Sequence, residues 1–375
     1  MKSLLQNMIL IIVSLVVALV IGELGLRLAG YGSGNPYERL LNNNDEYVGY
    51  RMIPGDHETI DGPDGIYDVK IVSLGFDDGR GFRDDGRQNP VHSMFFGDSF
   101  VWGYGVEIDD SISEQFEALS GKDAVNLGMT AFTSPTQYWR LFKNYVAELP
   151  AEYAFFGLFL GNDFGDSLNF DEWLLSGSQV SYPEWRTRQI RGVINNSWSL
   201  RVRRSAYDRS VLWRFLVDRI NFGLTSDHVL QDNLLEINTD KLDLVLDSRQ
   251  IVTSMGRNQE RQIKLVRRAL RQIVRTGQSS GARPIVFVIP TKELVYQSYY
   301  LEDSRRTVED IRYRTLLELL NESGIEFIDL LPVFRQAVVN DAEQLYFRID
   351  GHWNPTGHAL AALELYRYVS GRAGH

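Results

Sequence analysis

The 375-residue chain contains no cysteine. Disulfides, thiolate metal sites and a cysteine nucleophile are thereby excluded, and thiol usage gives no reading of compartment. A cysteine-free chain fits an oxidising envelope compartment without requiring one. Basic charge is also short: 39 Lys and Arg stand against 49 Asp and Glu, a formal net charge of −10. Nucleic-acid binding, which needs clustered basic charge, is therefore not expected. No Gly-x-x-x-x-Gly-Lys-Ser/Thr loop occurs, so nucleotide hydrolysis has no support. The six histidines show no zinc-type spacing, although Asp350, His352 and His358 could be forced into a ligand set. Internal repeats and low-complexity tracts are absent. A hydrophobic fraction of 44% is ample for the core of one large domain, or of a domain with an insertion.

The amino terminus reports on location. Leu4 to Gly22 carries no charged side chain and is dominated by Leu, Ile and Val. As a helix it would extend roughly 28 Å, close to the thickness of a bilayer core. A cleaved signal peptide is the competing reading, because Lys2 ahead of an apolar run suits both. The run exits into Ile21-Gly22-Glu23-Leu24 rather than an Ala-x-Ala pattern, which favours an uncleaved transmembrane anchor. Lys2 and the α-amino group place the amino terminus in the cytoplasm, with Arg27 weakening the bias. The remainder of the chain is then expected outside the cytoplasm.

Three parts are expected: a membrane anchor over 1–30, a juxtamembrane arm with small β elements over 31–90, and a main domain over 91–375. In the arm, Asp77 to Gly81 reads as turns and Ile66 to Leu74 as a strand. In the main domain, apolar runs suited to buried parallel strands are Val91–Phe96, Ala124–Leu127, Tyr153–Leu160, Pro284–Ile289 and Glu326–Ile328. Helical patterns fall between them at Ile112–Leu119, Pro135–Leu149, Asn258–Thr276 and Glu309–Asn321. Ser134-Pro135 and Asn354-Pro355 are helix starts, each with a capping side chain followed by proline at the first helical position. This alternation predicts an α/β fold with a parallel sheet covered on both faces. A mainly helical insertion is expected over about 164–257, rich in Arg and Trp (Trp185, Arg186, Arg188, Arg191, Trp198, Arg201, Arg203, Arg204, Trp213, Arg214). It reads equally as a lid over the site and as a packed appendage with solvated arginines.

The candidate chemistry lies at the ends of these runs. Phe95-Phe96-Gly97-Asp98-Ser99-Phe100 delivers a serine from a buried strand to the start of a helix. Asn126-Leu127-Gly128, Gly161-Asn162-Asp163 and Asp350-Gly351-His352-Trp353 follow in that order. A serine hydroxyl needs a base to take its proton. His352 is the best candidate, with Asp350 two residues earlier to hold its tautomer. His358, in the first turn after Pro355, has packing as its default role. His57, His92, His228 and His375 have no matching context. Asp98 and Asp163 read as loop anchors, and Asp329 as a weaker alternative to Asp350.

The four blocks, in this order, resemble the SGNH (GDSL-like) hydrolase family over roughly Gly75 to Gly371, apart from the insertion. The resemblance implies a three-layer α/β/α sandwich with a flavodoxin-like central sheet. It also implies a Ser99–His352–Asp350 triad and an oxyanion hole built from the Ser99 N–H, the Gly128 N–H and the Asn162 side chain, with no cofactor. Gly81-Phe82-Arg83-Asp84 looks like an element found ahead of the nucleophile strand in membrane-attached members; as a plain pattern it is a surface turn with one buried Phe. The family more often has Asp-x-x-His, whereas Asp-x-His-Trp resembles the subgroup that includes alginate O-acetylation proteins. The implied function is a serine esterase acting on ester-linked acyl groups of a small molecule or envelope glycan. O-acetyl transfer to a glycan uses the same residues, and a non-catalytic glycan-binding or assembly protein is the alternative of another class. Lys292 and Trp353 are candidates for substrate contact.

Overall fold

The computed structural model describes residues 2–28, 36–41, 43–86, 90–194, 210–213, 234–247, 250–256, 258–299, 310–341 and 343–371. The chain divides into two compact units, one of residues 1–39 and 187–232, the other of 40–186 and 233–375. In the first, the apolar run forms the 27-residue helix Lys2–Leu28. Its last turns are engaged by protein: the Glu23 carboxylate accepts the backbone N–H groups of Val211 and Leu212 and the Ser210 hydroxyl. Among the described residues, no helix is long and apolar enough to cross a membrane. The expected transmembrane helix is therefore not a finding of the structure.

The second unit is α/β. Five strands form one parallel sheet: β1 (Ser93–Phe96), β2 (Ala124–Asn126), β3 (Tyr153–Phe159), β4 (Arg283–Ile289) and β5 (Glu326–Asp329), in the order β5-β4-β3-β1-β2. Read from the other edge this is 2-1-3-4-5, the flavodoxin-like order, which places a topological switch point between β1 and β3. The registers align Ser93 with both Ala124 and Tyr153, and Tyr153 with Arg283. β1 to β4 therefore start in register, and being parallel they direct their carboxyl ends to one rim.

Consecutive aromatics on β1 show how the two faces are covered, because successive strand side chains point to opposite sides. Phe95 packs on Phe155 and on Phe116 of α1 (Ile112–Ser120). Phe96 packs on Phe156 and on Phe142 of α2 (Pro135–Tyr145). With α2 lie α3 (Gln259–Ser280) and α4 (Ile311–Ser323); with α1 lie α5 (Leu330–Asp341) and α6 (Pro355–Ser370).

The arm contains two small antiparallel hairpins, Asn43–Asp45 with Gly49–Arg51 and His57–Gly62 with Gly65–Lys70. The expected insertion is not simply helical. Its described part holds the helices Asp163–Ser176 and Tyr182–Ile194, and then a hairpin of Leu234–Asn238 with Asp243–Asp247. Leu242, Leu244 and Leu246 alternate to the inside, a period of two that belongs to a strand rather than a helix. Trp198, Arg201, Arg203, Arg204, Arg214, His228 and His375 lie outside the described residues.

Candidate active site

Ser99 opens a short helix (Ser99–Trp102) at the carboxyl end of β1. Asp98 is its N-cap, accepting the Phe100 N–H at 3.0 Å. The Ser99 N–H lies in the first turn, where helical N–H groups have no intrahelical acceptor. Gly97 is required here, because a Cβ would fall 2.3 Å from Val101 Cγ2. Arg83 holds the far end of this turn. It is fully buried and donates to the carbonyls of Trp102, Gly103 and Val106, and to Asp68 of the arm. Burial lowers its guanidinium to about 10. The Gly-Phe-Arg element is thus part of the scaffold of the nucleophile turn and not a surface turn.

Several buried carboxyls lie behind this turn. Burial pushes Asp98 up to about 6, against the pull of the Phe100 N–H, His352 and Asn162. Asp84 is pushed up to about 7 by burial, although it accepts the N–H groups of Asn126 and Gly86. Asp163 also lies well above the usual carboxylate range, chiefly through burial, and receives the Tyr138 hydroxyl and the Phe159 N–H.

The second half of the site is the segment Phe347–Trp353, closed on itself by a hydrogen bond from the Phe347 N–H to the His352 carbonyl. His352 Nε2 lies 2.7 Å from Ser99 Oγ, and its Nδ1 lies 2.5 Å from Asp350 Oδ1. The same carboxylate oxygen accepts the His352 backbone N–H at 2.8 Å. These partners assign the tautomer: Nδ1 carries the proton toward Asp350, and the Nε2 lone pair faces the Ser99 hydroxyl. Burial raises the Asp350 carboxyl, but its hydrogen bonds from His352 and the His352 charge outweigh this, and the net direction is down. The rings of Phe100 and Tyr104 flank the imidazole at 4.8 and 4.7 Å.

The structure therefore brings Ser99, His352 and Asp350 into one hydrogen-bonded chain. The oxyanion candidates are less directly joined. The Gly128 N–H is taken by Asn126 Oδ1 at 2.9 Å. The type is explained by close approach, because a Cβ on Gly128 would lie 2.6 Å from the Trp102 backbone nitrogen. Asn162 heads the helix Asp163–Ser176 beyond β3 and makes no hydrogen bond to Ser99. Lys292, beyond β4, is buried, with Nζ turned onto the carbonyls of residues 347 to 350. Trp353 is fully enclosed by Phe100, Phe334 and His358.

Of the other residues weighed, His358 is buried beside Trp353, and burial depresses it to about 3, so it is neutral. Asp329 accepts the Tyr313 hydroxyl and the Leu331 N–H rather than His352. His57 and His92 pair with Asp68 and Glu152. A metal on Asp350, His352 and His358 would need a free His352 nitrogen, and both are engaged.

The model of a known family, the SGNH hydrolase-like domain of acetyltransferase AlgX, matches residues 251–374. Over residues 251–374 the chain is similar to that SGNH hydrolase-like domain. Two curated relatives are named probable alginate O-acetylase AlgJ. The one from Pseudomonas aeruginosa is 31% identical over 26% of this chain and 24% of its own length. The one from Pseudomonas putida is 27% identical over 27% of this chain and 26% of its own. The chain thus matches about a quarter of the length of these relatives. Among solved structures, an acetyl xylan esterase aligns over 74% of this chain and 100% of its own, at 10% identity and a TM-score of 0.38. The lipase/acylhydrolase from Enterococcus faecalis aligns over 75% and 97%, at 11% identity and a TM-score of 0.35. At this distance the solved structures say nothing of what the chain acts on.

Proposed function

We propose that the chain is an SGNH-type serine enzyme that removes ester-linked acyl groups, with O-acetyl groups of an exported or envelope glycan as the substrate class. The observation that carries the reading is the Ser99–His352–Asp350 chain at 2.7 and 2.5 Å, at the switch point where α/β sheets place their ligands. Ser99 Oγ attacks the ester carbonyl carbon while its proton passes to His352 Nε2. Asp350 holds Nδ1–H and stabilises the imidazolium. Collapse of the tetrahedral intermediate breaks the acyl C–O bond, and the alcohol leaves with the proton from Nε2. Water, deprotonated by the same nitrogen, then attacks the acyl-enzyme and releases the carboxylic acid. The Ser99 N–H and Asn162 are the proposed oxyanion donors; Gly128 joins them if its N–H turns from Asn126.

A second reading has a glycan hydroxyl replace water in the last step, giving O-acetyl transfer. It is supported by the AlgX-type family match and the AlgJ relatives. The apolar side chains exposed along Lys2–Leu28, among them Leu10, Ile11 and Ile21, support an address at a membrane, and the positive charge of Lys2 ahead of them supports an extracytoplasmic side for the rest of the chain. The test incubates the full chain with an acetyl-labelled ester donor, with and without acceptor glycan. Label released as acetate supports hydrolysis, and label appearing on the glycan supports transfer. Turnover that survives Ser99→Ala overturns Ser99 as the nucleophile of both readings, and folded wild type that turns over no donor favours a binding or assembly role.

A further inference from the structure

Lys292 opens the short helix Lys292–Val295 directly after β4, capped by the Thr291 hydroxyl. Its side chain is 1% exposed. Nζ lies 3.3, 3.2, 3.1 and 3.1 Å from the carbonyl oxygens of Phe347, Arg348, Ile349 and Asp350. An ammonium has three N–H groups, so four successive carbonyls share three donors. Convergent carbonyl dipoles repel one another, and a charged donor at their focus is what lets the chain curl so tightly. The curled residues are the ones that present Asp350 and, two residues on, His352. The outer side of the segment is pinned separately. The Arg348 carbonyl accepts the Val245 N–H from the 234–247 hairpin, and its guanidinium pairs with Asp243.

We infer that Lys292 is a positioning residue of the active site: its ammonium gathers the 347–350 carbonyls and thereby sets the Asp350–His352 pair against Ser99. The inference rests on the acyl-transfer reading above, and it places Lys292 behind the triad rather than against the substrate. The charge environment gives the role a pH signature. Burial lowers the ammonium to about 8, while Glu293 and Asp350 hold it up and Arg348 pushes it down. Glu293 is itself buried and faces Asp247. As pH rises through about 8, Lys292 loses its charge and one donor. The curl loosens while Ser99 and Asp350 keep their own chemistry.

The test compares full-length wild type, Lys292→Met and Lys292→Arg, following hydrolysis of p-nitrophenyl acetate and fluorophosphonate labelling of Ser99 across pH 6 to 10. The expected result is a fall of about 100-fold in kcat and labelling rate for Lys292→Met, the scale of a displacement near 1 Å, with KM little changed. The wild-type alkaline limb near pH 8 should move upward in Lys292→Arg, whose charge persists. Should Lys292→Met fail to fold, the wild-type limb and its shift in Lys292→Arg still decide. A wild-type profile flat to pH 10, or Lys292→Met acylating at the wild-type rate, overturns the inference. Absence of any Ser99 labelling in folded wild type brings down the acyl-transfer reading itself, and this inference with it.

Discussion

The two halves of the site are held by the same device, a buried cation gathering carbonyls, and differ in how far that charge persists as pH rises. On the nucleophile side, Arg83 gathers the carbonyls of the Ser99 turn, with Tyr67 and Glu107 supporting its charge. On the base side, Lys292 gathers the carbonyls of the Asp350–His352 segment. A guanidinium lowered to about 10 stays charged through the neutral range, whereas an ammonium lowered to about 8 does not. The cation behind the serine turn thus keeps its charge in mild alkali, while the one behind the histidine loses it.

The largest perturbation of this contrast, Asp350→Asn, acts on the base side alone. It removes the carboxylate that fixes the His352 tautomer and should lower kcat by about 10⁴-fold with the fold intact. Steady-state kinetics with thermal melting separates the two effects, and a loss under tenfold would mean that Asp350 does not orient His352. On the nucleophile side, Arg83→Met leaves the carbonyls of Trp102, Gly103, Val106 and Asp68 without their donor. The expected cost is about 3 kcal/mol of stability, read by denaturant unfolding, with a smaller change in kcat of the folded fraction. If Arg83→Met instead spares stability, the two cations do not play parallel parts.

A third effect is a dependence of stability on pH. Asp98, Asp84 and Asp166 have folded values raised by burial to about 6, 7 and 7. Between about pH 4 and those values the native state holds protons that the unfolded chain has released, so stability falls as pH rises through that window. Asp350, lowered, works the other way, and its contribution is lost only as pH falls through its folded value, below about 4. Thermal midpoints should therefore be higher at pH 5 than at pH 8. A midpoint that rises from pH 5 to pH 8 would mean that the carboxyls behind Ser99 are not held in the environment described.

Strand positions were legible because β1 to β4 are largely buried on both faces, the edge strand β5 less so, and each reads as an apolar run closed by a Gly, Pro or Asp turn. The nucleophile and its partners stood out for the same reason, since Ser99 and Asn162 follow such runs directly. Leu330–Asp341 was not anticipated: it follows β5 with no turn between Asp329 and Leu330, and Pro332 sits in its first turn. The hairpin at 234–247 was missed because its strands are short and lie within a stretch rich in Asp and Leu. One partner was beyond any sequence pattern: nothing local distinguishes a lysine that turns inward onto four carbonyls from one in solvent. The Asn126 carboxamide on the Gly128 N–H is a local Asx turn, which Asn126-Leu127-Gly128 permits but does not require.

The central claim is that Ser99 is an activated nucleophile coupled to His352. It is tested most directly by treating the folded full chain with a fluorophosphonate and mapping the adduct by peptide mass spectrometry in wild type, Ser99→Ala and His352→Ala. The account predicts one adduct on Ser99, absent in Ser99→Ala and slowed by orders of magnitude in His352→Ala. No adduct on folded wild type, or labelling of Ser99 at an unchanged rate without His352, would contradict it.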